Sequence, residues 1–120
     1  MNNLPVLIVG FNRTSSLRRV LEATLESSVV GPIYISVDGP KQNSDGVVDG
    51  IDPKFLHELS DMSKNGTKIQ PLQHPENLGL GNHMRLAIDW IFESETVAVI
   101  LEDDCLPSKE FFSFASHMLT

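Results

Sequence analysis

The sequence predicts an α/β domain built on a mostly parallel sheet of about four strands with helices on both faces. Three observations carry that prediction. Short apolar runs such as Val6 to Val9 show little alternation, which suits strands buried on both faces. Segments with apolar residues at helical spacing separate those runs. Strand and helix also alternate regularly along the chain, which favours parallel pairing through right-handed crossovers.

Leu4 to Gly10 is the first strand. Leu17, Val20, Leu21, Thr24 and Leu25 then recur at helical spacing, with Thr14, Ser15 and Ser16 as capping candidates. Gly31-Pro32 punctuates the chain before a second strand, Ile33 to Val37, which ends in the turn-forming Asp38-Gly39-Pro40. Lys41 to Gly50 is rich in Gly, Asn, Ser and Asp and is expected to be a mobile surface loop. Asp52-Pro53 predicts an N-cap with proline at the first helical position. Phe55, Leu56, Leu59 and Met62 supply that helix's apolar face, and Asn65-Gly66 its end. Thr67 to Leu72 contains Pro71, which lacks an amide hydrogen, so this strand is expected at a sheet edge. A loop from His74 to Gly81 leads into a third helix, marked by Met84, Ala87, Ile88 and Ile91 and reaching about Ser94. Thr96 to Leu101 is the last strand. Pro107 to Leu119 is a fourth helix whose apolar face is expected to hold Phe111, Phe114, Ala115 and Met118. The architecture is Rossmann-like.

A length of 120 residues, 41% of them hydrophobic, fits one domain over residues 1–120. A formal net charge of -7 argues against nucleic acid or an anionic membrane as partner, since those surfaces require clustered Lys and Arg. The single cysteine, Cys105, excludes an intrachain disulfide. Met1 to Pro5 lacks signal-peptide character, and no apolar run approaches the roughly 20 residues that span a bilayer. A soluble, cytoplasmic protein is the expectation.

The chemistry concentrates where Val97-Ala98-Val99-Ile100-Leu101 runs into Glu102-Asp103-Asp104. Adjacent carboxylates repel one another unless a cation, hydrogen bonds or open water offsets the repulsion, and carboxylate oxygen is the ligand that Mg2+ and Mn2+ prefer. A solvated acidic turn is the competing reading. In parallel sheets ligands sit beyond the carboxyl ends of the strands, which gathers Asn12, Arg13, Asp38 and Glu102 to Asp104 on one edge. Arg13 can reach a phosphate there or remain solvated. Asp38 can accept from a base or ribose, or shape its own turn. Gly79 and Gly81 permit close approach of backbone to a ligand beside a helix start, although neither a Walker pattern nor a true G-x-G-x-x-G is present. His83 can donate to a phosphate or sugar hydroxyl, or be an ordinary helix histidine. His57, His74 and His117 have no ligand spacing. Cys105 is expected to be a small buried side chain, its thiolate disfavoured by the neighbouring acids.

Together Asn12-Arg13, Asp38-Gly39, Asn82-His83-Met84-Arg85-Leu86-Ala87, Val99-Ile100-Leu101-Glu102-Asp103-Asp104 and the Pro107-x-x-x-Phe111-Phe112 helix resemble a GT-A glycosyltransferase. The N-acetylglucosaminyltransferase I type, whose D-x-D motif is also Glu-Asp-Asp, is the nearest likeness. The resemblance implies that the chain is the N-terminal, nucleotide-sugar-binding half of such a fold. It implies that Asp104 binds Mn2+ (or Mg2+) bridging the diphosphate of a UDP-sugar. Asp103 would then meet the ribose and Glu102 the donor sugar or ribose. Asn12 and Arg13 would meet the nucleotide or its diphosphate, Asp38 the uracil, and His83 the donor at the mouth of the glycine loop formed by Gly79 and Gly81.

The same resemblance implies a second half beyond Thr120 with the acceptor site and catalytic base, so that this chain alone transfers nothing. The strand Thr96 to Leu101 would then present an exposed apolar edge and self-associate. Two alternatives compete: a non-catalytic nucleotide or nucleotide-sugar binding module, and a receiver-like signalling domain. A receiver wants its acidic pair at the end of the first strand, where this chain has Gly10-Phe11-Asn12.

Overall fold

Leu4 to Gly10 is buried at every position, as a strand must be when it has neighbours on both sides and helices on both faces. In the computed structural model, which describes residues 3–64 and 66–119, this strand, β1 (Leu4–Gly10), lies inside a four-stranded sheet. In chain order there follow α1 (Thr14–Leu25), β2 (Val30–Val37), β3 (Lys41–Gln42), β4 (Val48–Asp49) and α2 (Pro53–Ser60). After these come β5 (Ile69–Gln73), α3 (Leu80–Phe92), β6 (Val99–Glu102) and α4 (Lys109–Leu119). The main sheet has the order β5-β2-β1-β6 with every neighbouring pair parallel.

Alternate residues of β1 face opposite layers. Val6 and Ile8 meet Leu17 and Leu21 of α1, Leu56 and Leu59 of α2, and Phe112 of α4, while Leu7 and Val9 meet Ala87 and Ile91 of α3. Tyr34 fastens the far end of α3: its ring stands edge-on to Trp90 at 5.2 Å, and its hydroxyl donates to Glu95 at 2.6 Å. Burial, and then the Glu95 carboxylate, raise the Tyr34 pKa. No helix among the described residues is long and apolar enough to cross a membrane.

Asp52 caps α2 by accepting from the Lys54 amide, with Pro53 at the first helical position as expected. Pro71 sits on the edge strand β5. Several boundaries differ from the sequence reading. The chain enters β2 at Val30, so Gly31-Pro32 lies within the strand. The helix begun by Pro53 stops at Ser60, and Asn65 of its expected stop lies outside the described residues. The helix α1 starts at Thr14 with Arg13 as N-cap and no side-chain cap. Segment 41–50, expected as a mobile loop, forms the antiparallel β3/β4 hairpin. Its turn is closed locally, because Asn43 Oδ1 accepts from the amides of Asp45 and Val47 and Gly46 takes a positive φ of 79°.

The apolar face of α4 is also different. Phe112 and Ala115 are buried, whereas Phe111, Phe114 and Met118 are exposed. Aromatic residues at 111, 112 and 114 offer two competing stripes, and docking on the α1 layer selects the one through Phe112 and Ala115, positions that share a helix face.

Candidate functional site

From β1 the chain moves outward through β2 to β5 and then crosses back to place β6 on the other side of β1. The crevice beyond β1 and β6 is therefore the topological switch point, where open α/β sheets bind ligands. Receiver domains have the strand order 2-1-3-4-5, whereas here the main-sheet strands, renumbered in chain order, run 3-2-1-4.

At that crevice lies a cleft of about 440 Å3 lined, among others, by Asn12, Arg13, Asp38, Gly79, His83, Glu102, Asp103 and Asp104. Of the residues singled out from sequence, Gly81 is not part of the lining. It falls in the first turn of α3, because the helix begins at Leu80, whereas Gly79 is the N-cap with φ 81°. Only glycine occupies that backbone region without strain.

Asp38, 3% exposed, is the most heavily engaged group. Its Oδ1 accepts from the amides of Gly39 and Leu78, each at 2.8 Å, and its Oδ2 accepts from the Gly79 amide at 3.2 Å and Asn77 Nδ2 at 3.3 Å. One carboxylate thus ties the end of β2 to the loop that opens α3. Gly39 makes this possible, since a Cβ there would stand 2.2 Å from the Glu76 carbonyl carbon.

His83 is buried, and its Nε2 is 2.8 Å from Ser36 Oγ. Its ring stands edge-on to His74 at 5.2 Å. Burial lowers its pKa, the Asp38 charge opposes that shift, and His74 adds to it. The net shift favours the neutral imidazole. His74, which sequence spacing left without a role, is drawn into this cluster because its amide donates to Val37 O at the β5 end of the sheet.

The three acids at the end of β6 have different surroundings. Asp103 folds back over β1: its amide donates to Val9 O, and a Cβ on Gly10 would come within 3.3 Å of Asp103 Oδ2. Burial raises its pKa, Arg13 opposes this, Asp104 adds to it, and a backbone hydrogen bond from Phe11 also lowers it. Asp104 faces outward, 3.5 Å from Arg13 Nη1, in an ion pair more than half exposed on both sides. Glu102, Asp104 and Cys105 bring ligand atoms within 4.8 Å of one another. The two carboxylates are hard oxygen donors suited to Mg2+ or Mn2+, and the thiol is a softer neighbour. Cys105 is exposed rather than buried, because the chain turns outward directly after β6 and its Sγ lies 3.6 Å from Asp104 Oδ1.

Lys41 of the hairpin also lines the cleft, a residue that the composition of its segment concealed. No protein-family model matches the chain, and no curated protein is significantly similar to it.

Proposed function

We propose that this chain is the nucleotide-sugar-binding portion of a metal-dependent GT-A glycosyltransferase that uses a UDP-sugar. The observation that carries the reading is the convergence of Asn12, Arg13, Asp38, Gly79, His83 and Glu102 to Asp104 on one cleft at the topological switch point. All but Gly79 belong to the motifs on which the family resemblance rests, and they are drawn from four separate segments of the chain.

In this reading Asp104 and Glu102 hold Mn2+ or Mg2+, whose chemistry when bound is to neutralise the departing diphosphate. Arg13 exchanges its exposed carboxylate partner for the diphosphate or nucleotide, an inexpensive exchange because such surface pairs contribute only about 0 to 1 kcal/mol. Asn12 lies alongside. Asp103, held against Gly10, faces the ribose. Gly79 lets the ligand approach the start of α3, and His83 presents a neutral ring edge to the donor. Both Asp38 oxygens are already bonded, so its part in uracil recognition is to hold the loop 77–79 in place. The acceptor and catalytic base are unassigned.

Calorimetric titration with UDP tests the reading. Binding is expected to require Mn2+ and to fall about tenfold or more in Asp104→Ala, the scale of a lost charged contact. Equal binding without metal and in the variant would refute it.

The same reading includes self-association at the edge of the sheet. Among the described residues β6 pairs only with β1, and Ile100 on it is 38% exposed. Pairing of two such edges would satisfy the open backbone groups. Sedimentation equilibrium should show a concentration-dependent dimer that Ile100→Lys weakens. A monomer at every concentration would remove this part of the proposal.

A further inference from the structure

The cleft has a charge problem that its acids create. Four carboxylates line it, from Asp38, Glu102, Asp103 and Asp104, against two cations, Arg13 and Lys41. An anionic ligand entering here needs positive charge that is not already committed. Arg13 reaches such a ligand only by giving up its ion pair with Asp104. Lys41 has no ion pair among the described residues.

That freedom is built into the hairpin. The residue directly across from Lys41 in the β3/β4 pairing is Asp49, the obvious partner for it. The carboxylate of Asp49 instead accepts from Asn12 Nδ2 at 2.9 Å. That hydrogen bond turns one oxygen of Asp49 towards Asn12 and fastens the hairpin to the loop after β1. The base of the hairpin is closed as well. A Cβ on Gly50 would stand 2.9 Å from Pro40 Cα, so glycine permits the two ends to meet. With the turn at Asn43 locked by its own side chain, the hairpin carries Lys41 as a preorganised arm.

We infer that Lys41 is a second cation, beside Arg13, that binds the phosphate groups of the ligand in this cleft, and that the Asn12 to Asp49 hydrogen bond positions it there. The inference rests on the nucleotide reading for the identity of the ligand, a nucleoside diphosphate. Lys41 contacts the ligand directly; Asp49 is a positioning residue.

Pyrophosphate and UDP, each titrated as its Mg2+ complex into the whole chain, separate the two claims. Lys41→Ala is expected to bind both about tenfold more weakly, with a flatter dependence on ionic strength, and Lys41→Arg to stay within about threefold of the parent. Asp49→Ala should weaken both, whereas Asp49→Asn, which keeps an oxygen to accept from Asn12, should restore them. Lys41 is exposed and a melting curve verifies that each variant folds. Lys41-dependent pyrophosphate binding with no gain for UDP would uphold the inference and sink the nucleotide reading. UDP binding undiminished in Lys41→Ala would do the reverse, and a parent chain that binds neither probe overturns both.

Discussion

Asp38→Ala should destabilise the protein by about 3 kcal/mol and release the loop that opens α3, since each buried donor left unpaired costs about 1 to 3 kcal/mol. The variant strands the amides of Leu78 and Gly79 together with that of Gly39. Urea denaturation gives the energy, and hydrogen exchange identifies the place. The amides of Leu78 and Gly79 should lose protection while those of β1 keep theirs. Asp38→Asn retains an oxygen acceptor and should lose less. If protection at Leu78 and Gly79 were unchanged in Asp38→Ala, the bracket between β2 and α3 would be wrong.

Phe112→Ala should cost about 3 to 5 kcal/mol, the usual range for removing a fully buried aromatic ring. Phe112 is inaccessible to solvent and belongs to the cluster with Val99 and Leu101, so its loss undermines the seat of α4 on the strand that carries the acids. Phe114→Ala is the control. That ring is 64% exposed, and its truncation should change stability by no more than about 0.5 kcal/mol. A larger loss in Phe114→Ala than in Phe112→Ala would mean that α4 docks by the stripe through Phe111, Phe114 and Met118.

The contrast between those two phenylalanines shows where reading from residues stops. Helix periodicity locates α4, but a helix with aromatics at successive positions has more than one apolar stripe. Only the layer it meets selects between them. Asp38 shows a similar division. Its place at the end of a strand is legible in the tripeptide Asp38-Gly39-Pro40, while its four donors come mainly from residues about forty positions away. No local pattern announces contacts at that separation. Lys41 was hidden for another reason, since the Gly, Asn and Ser content around it reads as loop, and the hairpin depends on side-chain bonds from Asn43 and Asp49.

The alternation of strands and helices and the acids at the end of the last strand were legible residue by residue, because both follow from local periodicity and from the charge of adjacent residues. Pro71 at an edge was legible in the same way, because a missing amide hydrogen is a property of the residue. The position of β6 on the opposite side of β1 from β2, which makes a crevice of that strand end, comes from long-range packing. The same packing turned Asp103 inward over Gly10 and Asp104 outward to Arg13. Three adjacent acids are alike in sequence. Which of them is partly covered depends on the neighbouring strand, where the missing side chain of Gly10 leaves room for the Asp103 carboxylate.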